Sequence, residues 1–182
     1  MDAITMIKER RSVRKYKDEK VDRETMREIV DIAIWAPSWV NYQIARYTLV
    51  DDEEIIKEIA EHGVNGFVYN IDTLRTAKGV AVLSFVKGKS GTYDKEYITS
   101  KGNSWEVFDA GIACQTFCLA AHAKGVGTCI MGVIDDKSIA KIVNLPEDET
   151  VAALIVYGYE DGEHAAPNKR KDVDEIMRFV DR

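Results

Sequence analysis

The run Gly79-Val80-Ala81-Val82-Leu83-Ser84-Phe85-Val86 decides the fold, because no other segment has so clearly the pattern of a buried strand. It has strand length, it is apolar apart from one serine, and β-branched or aromatic residues recur at alternate places. A strand without a polar face is typical of the centre of a sheet that is covered on both sides. We therefore predict that this run is the central strand of the core.

Three further strands and one long helix are predicted around this run. The strands are Tyr47–Val50, Thr128–Met131 and Val151–Tyr157. The segment from Trp105 to Lys124 is apolar nearly all round and rich in small residues, which predicts a helix that is buried on more than one side. Gly125 is placed to end that helix as its C-cap.

Shorter helices are predicted from their caps. Asp2 caps a helix that ends at the cluster Arg10-Arg11-Ser12, and Asp22 caps an amphipathic helix that Pro37 ends. Three more helices are predicted. One contains Ile55, Ile56 and Ile59 and stops near Gly63, and the next spans Lys137–Val143. The last runs from the capping box of Asp172 and Glu175 to Val180.

Two segments resist such assignment. Residues 64–78 show no clear pattern. Residues 87–103 are polar and contain three glycines, so we expect a long mobile loop over a site.

Composition limits the class of protein. A chain of 182 residues that is 46% hydrophobic and 31% charged is expected to form a single domain, 1–182. A net charge of −6 opposes attraction to phosphate backbones, so nucleic acid is not an expected partner. The sequence shows neither a secretory signal nor the roughly 20 apolar residues of a membrane-spanning helix. We therefore expect no membrane partner and a cytoplasmic location.

The chain has three cysteines, Cys114, Cys118 and Cys129, and this odd number does not form a disulfide framework. Cys114 and Cys118 lie four apart on one helical face, yet with His122 as the nearby candidate the set falls short of the four ligands of a structural zinc site. We interpret the cysteines as small buried hydrophobes and expect no metal.

Arg10-Arg11-Ser12-Val13-Arg14 is the first of four segments that can carry chemistry. Three guanidinium groups and a hydroxyl can converge on one phosphate, because arginine forms bidentate hydrogen bonds and stays charged when partly buried. A solvated basic helix end is the alternative.

The other three segments are suited to the rest of a ligand. Ala36–Gln43 offers amide, hydroxyl and aromatic groups for a heteroaromatic ring, or it is a plain turn. Gly125–Gly132 closes a helix and enters a strand, so it is not a Rossmann fingerprint; its backbone amides meet a ligand, or its glycines serve packing. Asn168–Lys171 is a second basic run that completes a phosphate site or keeps the surface solvated.

The absence of certain motifs also argues against some enzyme classes. The sequence contains no nucleophile context such as G-x-S-x-G and no P-loop, and its three histidines have no metal-ligand spacing. Binding segments without an acid–base or nucleophile apparatus are expected where a cofactor carries the chemistry.

The four segments, in this order, resemble the nitroreductase family of flavoproteins from about Thr5 to Met177. The resemblance implies that Arg10, Ser12 and Arg14, with Arg11 adjacent, hold the phosphate of flavin mononucleotide (FMN). A late basic residue shares that task in the family, and Arg170 matches it best.

The same resemblance assigns the ring-binding residues. The family's Pro-Ser-x-x-Asn-x-Gln segment, which typically approaches the flavin from the partner subunit, is matched by Pro37, Ser38, Asn41 and Gln43. Its usual continuation is Pro-Trp, whereas Ile44-Ala45 stands here, so the acceptor preference is expected to differ.

The remaining matches lie in the second half of the chain and near Asn70. The family's Asp-x-Gly-x-Ala-x-Gln helix is matched by Asp109, Gly111, Ala113 and Gln115. Ile130, Met131 and Gly132 are implied to lie against the flavin ring. Asn70 matches a ring-binding asparagine of some relatives, but the lysine that often follows it is Thr73 here.

For the fold, the resemblance implies an α+β protein with a mixed, mainly antiparallel central sheet flanked by helices, in an intertwined homodimer. For the activity, it implies a ping-pong reaction in which NAD(P)H reduces the flavin at N5 and is replaced by a nitroaromatic, a quinone or another small flat electron acceptor. No protein residue is then catalytic, because the flavin carries the chemistry.

Three alternatives remain open on the sequence alone. One is another flavin enzyme of the same fold, namely a dehalogenase, a dehydrogenase or a flavin reductase. The second is a flavin-binding protein with little turnover, and the third is a purely structural dimerisation domain.

Overall fold

The computed structural model describes residues 2–181, which form seven α-helices, one short 3-10 helix (Trp39–Asn41) and six strands. The helices are α1 (Ala3–Glu9), α2 (Arg23–Ala33), α3 (Glu53–His62), α4 (Val68–Thr76), α5 (Ser104–Ala123), α6 (Asp136–Ile142) and α7 (Val173–Ile176). The strands are β1 (Ala45–Val50), β2 (Gly79–Val86), β3 (Thr92–Tyr93), β4 (Glu96–Tyr97), β5 (Gly127–Met131) and β6 (Glu149–Gly158).

The central sheet has the strand order β1-β2-β6-β5, and all three of its pairings are antiparallel. An isolated parallel bridge joins Ser12 to Thr128 on the β5 side. The first seven residues of β2 are buried, and β2 lies between two other strands. The prediction of a central, doubly covered strand is confirmed, because apolar side chains on both faces need cover on both sides.

Two apolar layers cover this sheet. On one face α2 and α5 pack against Ala81, Leu83 and Phe85 of β2. On the other face α3, α4 and α6 pack against the alternate residues Val80 and Val82. The result is the α+β architecture that the family resemblance implied, and α5 contacts all four strands of the sheet.

The predicted caps are present. Asp2, Asp22 and Asp172 accept hydrogen bonds from the first turns of α1, α2 and α7, and Gly125 follows α5 with a φ of 75°. Residues 64–78, which had no clear pattern, contain α4. Within residues 2–181, no helix combines the length and the apolar character needed to cross a membrane.

The predicted length of the C-terminal helix is wrong. The C-terminal helix stops at Ile176 instead of reaching Val180, since Met177 has an extended conformation and α7 has no buried residue. Without a surface to pack on, a single capped turn is not extended.

The segment 87–103 is not a free loop. It forms the β3–β4 hairpin, and its residues Ser90, Gly91 and Thr92 are buried. The carboxylates of Glu106 and Asp109 in α5 hold it in place.

Candidate functional site

The basic segment Arg10–Arg14 runs alongside β5. The Val13 N–H donates a hydrogen bond to the carbonyl oxygen of Thr128 at 2.9 Å. The chains approach so closely that a Cβ on Gly127 would lie 2.7 Å from Cγ2 of Val13. The buried Tyr16 hydroxyl lies 2.7 Å from the Val13 carbonyl oxygen, which fixes the segment from its other side. The arginines therefore sit on a rigid backbone.

Arg10 and Arg14 form a concentration of positive charge without a carboxylate partner. Neither takes part in an ion pair within residues 2–181, although the chain is acidic. Arg10 borders a cleft with Gly127 and Thr128 of β5. Burial raises the pKa of the Cys129 thiol in the same strand, and the charges of Arg14 and Arg10 oppose that rise. Arg10 is half-buried. Unneutralised guanidinium groups beside a half-exposed Ser12 are suited to a dianionic phosphate.

Arg11 is engaged differently. Its guanidinium group donates to the carbonyl oxygens of Lys8, Arg10 and Ala165 at 2.6, 2.9 and 3.2 Å. These bonds satisfy carbonyls at the end of α1 and anchor the chain that follows β6. Three of the five N–H donors of the Arg11 guanidinium group are thus engaged within the chain.

His164 makes a second anchor for the same chain. Its Nδ1 lies 2.7 Å from the Glu160 carboxylate and its Nε2 lies 2.8 Å from the carbonyl oxygen of Glu9. Both partners are acceptors, so both nitrogens donate only in the protonated ring. The hydrogen bonds to Glu160 and Glu9 accordingly raise the pKa of His164.

Next to the basic segment, β5 and the residues after it present an open edge. Ile130 is 46% exposed and would face a ligand, whereas Met131 points into the core and offers only its backbone. Gly132 has open space where a Cβ would be. The amide of the buried Asn70 donates to the Val133 carbonyl oxygen at 3.0 Å, which holds this edge against α4.

The family often has a lysine shortly after the residue that Asn70 matches, and here Thr73 stands at that position. Thr73 is buried, and its hydroxyl donates to the Tyr69 carbonyl oxygen of the preceding turn at 2.8 Å. Thr73 therefore contributes no positive charge to this edge.

The segment Pro37–Gln43 is a strained turn. Val40, Asn41 and Gln43 have φ values of 45°, 56° and 49°, a left-handed conformation that L-residues avoid. Each such residue costs about 1–2 kcal/mol, and the cost is greatest for a β-branched side chain. The N–H of Gln43 donates to Ser38 Oγ at 2.8 Å and closes the turn. Strain of this kind is typical of binding sites.

The turn is held by α5 and by the hairpin. The Trp39 N–H donates to the Asp109 carboxylate at 2.9 Å, and the Trp39 indole N–H donates to the Thr92 carbonyl oxygen at 3.3 Å. The Trp39 and Trp105 rings pack at 5.0 Å. A cavity of about 110 Å³ beneath the turn is bordered by Asp109 and by Ala45 of β1.

Two buried carboxylates of α5 anchor the hairpin. Asp109 accepts from Ser90 Oγ at 2.5 Å, and Glu106 accepts from the backbone N–H of Gly88 and from the Tyr97 hydroxyl, the latter at 3.1 Å. Ser90 and Glu106 were not predicted from the sequence as residues that hold this region. The available signal was the pair of acids three residues apart in an otherwise apolar helix.

The predicted site residues thus fall into two groups. The first group lies along β5 and consists of Arg10, Ser12, Arg14, Asn70, Ile130, Met131 and Gly132. The second group lies on the turn that α5 and the hairpin anchor, and it consists of Pro37, Ser38, Asn41 and Gln43. Within residues 2–181 no hydrogen bond joins the two groups. Arg170 is exposed between β6 and α7, and it makes no ion pair in the described part of the chain.

Comparison with known proteins identifies the family of the chain. Residues 7–159 match the model of the Nitroreductase family. The chain is 30% identical over 166 residues to the FMN reductase (NAD(P)H) of Bacillus subtilis, covering 87% of this chain and 66% of that protein.

Solved structures are also similar. The structure of an FMN-dependent nitroreductase from Clostridium difficile R20291 is 29% identical, with a TM-score of 0.77 over 97% of this chain and 98% of that chain. A nitroreductase family protein from Streptococcus pneumoniae TIGR4 has a TM-score of 0.84 at 19% identity, over 98% of this chain and 100% of that chain, which shows a shared fold.

Proposed function

The chain belongs to the nitroreductase family, and we propose that it is an FMN-dependent oxidoreductase that passes electrons from NAD(P)H to nitroaromatics, quinones or similar flat acceptors. When bound, FMN supplies the redox chemistry. The observation that carries the proposal is the pair Arg10 and Arg14, which bears charge without a carboxylate partner beside the open edge of β5.

The residues along β5 fit an FMN phosphate and ring. Arg10, Ser12 and Arg14 would hold the phosphate, with Arg11 adding charge. The exposed side chain of Ile130 and the backbone of Met131 and Gly132 would face the ring, where Gly132 leaves room for close approach. Asn70 would position this edge through its bond to Val133.

The second group of residues would come from a partner subunit. Pro37, Ser38, Asn41 and Gln43 lie on a turn whose anchors are α5 and the hairpin, so one chain supports two half-sites. Arg170 is on the exposed C-terminal segment and would add its charge to the phosphate site from there.

A homodimer is supported by the exposed face of α5. Val107, Phe108 and Gly111 lie on one exposed face of this helix, and Phe108 is 58% exposed. A glycine within an exposed helix destabilises it, so its presence favours a surface on which another helix packs. Exposed apolar side chains that lie together on one helix face are typical of protein–protein interfaces.

The C-terminal segment supports an intertwined arrangement. Val173, Ile176, Phe179 and Val180 are exposed, the last of them by 85%. Exposed apolar side chains grouped in one segment are typical of interaction sites, and an arm that crosses onto a second copy would bury them.

We propose a ping-pong reaction in which NAD(P)H and the acceptor occupy the same pocket in turn. The protein's own residues bind, orient and exclude water, and none is assigned as nucleophile or general acid. The hairpin side chains Tyr93 and Tyr97 would border the acceptor entrance. Ile44-Ala45 replaces the usual Pro-Trp next to the turn, and we expect this to change which acceptors are used.

The cysteines and the shared sheet bear on location and domain organisation. All three cysteines are buried free thiols, which is typical of proteins in a reducing compartment, and we propose a cytoplasmic location. The two apolar layers share one sheet, which supports a single FMN-binding domain, 1–182.

The visible spectrum of the purified protein tests the proposal. We expect the absorption bands of a flavin, a released chromophore with the mass of FMN, and rapid loss of those bands on anaerobic addition of NADH or NADPH. Acceptor-dependent NAD(P)H oxidation then separates a nitroreductase or quinone reductase from a dehalogenase and from a flavin-binding protein with little turnover. A protein that binds no flavin at micromolar concentration contradicts the proposal.

A further inference from the structure

One carboxylate oxygen joins the strained turn to the hairpin. Oδ2 of Asp109 accepts both the Trp39 N–H at 2.9 Å and the Ser90 hydroxyl at 2.5 Å. Asp109 is 2% exposed, and Ser90 is fully buried. Buried hydrogen bonds to a carboxylate are strong because no water competes for them.

The two donors belong to segments with different tasks. Trp39 lies at the start of the left-handed residues of the turn, and Ser90 lies where the hairpin leaves β2. Because both donors share one oxygen, displacement of the hairpin at Ser90 moves the acceptor to which the turn is bound. The Trp39 indole bond to the hairpin carbonyl of Thr92 makes a second link in parallel.

We propose that Asp109 is a positioning residue that couples the FMN-contacting turn to the hairpin at the acceptor entrance. This inference rests on the proposed function, since it assigns the two segments to cofactor and acceptor. Its consequence is that Ser90, which lies in neither group of FMN-binding residues, affects FMN affinity through Asp109. Binding of an acceptor against the hairpin and the grip on FMN are thereby linked.

Two conservative variants and their combination test this link. Ser90→Ala removes the hairpin bond and leaves the Trp39 bond, while Asp109→Asn keeps the shape and removes the charge that both donors share. We expect FMN affinity of the apoprotein to fall about 5-fold in Ser90→Ala, at the low end of site-to-site coupling, and at least as much in Asp109→Asn. The double variant should bind within about 2-fold of Asp109→Asn, because residues in one network are not additive.

Ser84→Ala is the matched control. The Ser84 hydroxyl is also fully buried and also donates to a carboxylate, that of Glu149, at 2.5 Å, but it lies between β2 and β6. It should lower the melting temperature as Ser90→Ala does and leave FMN affinity unchanged. Equal loss of FMN affinity in both variants would overturn the coupling, because instability alone would then explain the effect.

Hydrogen exchange separates failure of this inference from failure of the proposed function. In Ser90→Ala apoprotein we expect faster exchange of the peptide 36–43 than in wild type or Ser84→Ala. If the wild type binds no FMN, the proposed function fails, and the exchange result alone supports or overturns the link between hairpin and turn. Unchanged exchange together with wild-type FMN affinity overturns it.

Discussion

Removal of the phosphate-site arginines is the prediction that most directly tests the function. Arg10→Ala and Arg14→Ala each delete a guanidinium group that has no carboxylate partner in the described part of the chain. If each donates to the FMN phosphate, its loss removes a charge-assisted hydrogen bond worth about 1.5–3 kcal/mol. FMN affinity should then fall about 10- to 150-fold.

The structure ranks the two variants. Arg10 is half-buried and close to α5 and β5, whereas Arg14 is exposed and already donates to the Ser12 carbonyl oxygen at 3.2 Å. Water screens an exposed charge more strongly, so we expect the larger loss of affinity for Arg10→Ala. Neither side chain is part of an apolar layer, so the fold should remain intact in both variants.

Titration of apoprotein with FMN and with riboflavin provides the assay. Riboflavin lacks the phosphate, so wild type and both variants should bind it with similar weakness. Arg75→Ala is the control, because Arg75 pairs with Asp72 at 2.8 Å on the surface of α4 and should change stability by less than about 0.5 kcal/mol. Unchanged FMN affinity in both Arg10→Ala and Arg14→Ala would refute the phosphate assignment.

Three other perturbations test the interface, the acceptor side and the C-terminal anchor. A side chain at position 111 meets open space within one chain, so Gly111→Leu would be harmless in a monomer. In a dimer the leucine should overpack the interface and raise the dimer dissociation constant at least about tenfold. If wild type and Gly111→Leu both sediment as monomers, the interface is wrong. Tyr93→Ala should raise the acceptor KM about fivefold, from roughly 1 kcal/mol of lost stacking, while flavin content stays constant; a loss of flavin instead would misplace the hairpin. The hydrogen bonds of His164 to Glu160 and Glu9 raise its pKa in the folded protein. Their contribution to the free energy of unfolding is therefore complete below the unfolded-state pKa of about 6.5 and is lost as the pH rises through the higher folded-state pKa. His164→Gln should therefore lower the melting temperature more at about pH 5.5 than at about pH 8.5. An equal decrease in melting temperature at both pH values would show that a protonated His164 does not stabilise the fold.

The sequence predicted well those elements whose signal is local. Asp2, Asp22 and Gly125 mark helix ends because caps depend on a few neighbouring residues. The β2 run showed its central place because only a doubly covered strand can be apolar on both faces. α4 was not predicted because its burial is divided between Asn70, Thr73 and Leu74, two of which are polar.

The irregular segments were predicted less well because distant residues determine them. The polar composition of 87–103 suggested a mobile loop, but Glu106 and Asp109 satisfy its polar groups from α5. The last helix was predicted too long because the capping box fixes only where a helix begins, and α7 has nothing to pack on within its own chain.

For the site, the sequence by itself determined the kinds of groups that are present: the arginines of 10–14, the turn at 37–43 and the edge at 130–132. Only the tertiary structure decided which of these groups meet. Pairing of Ser12 and Val13 with Thr128 places Arg10 and Arg14 beside β5, and bonds to Asp109 and Thr92 place the turn with α5 and the hairpin. Spacing along the chain cannot reveal this, because a hydrogen bond between residues 70 positions apart depends on how the whole sheet and its helices pack.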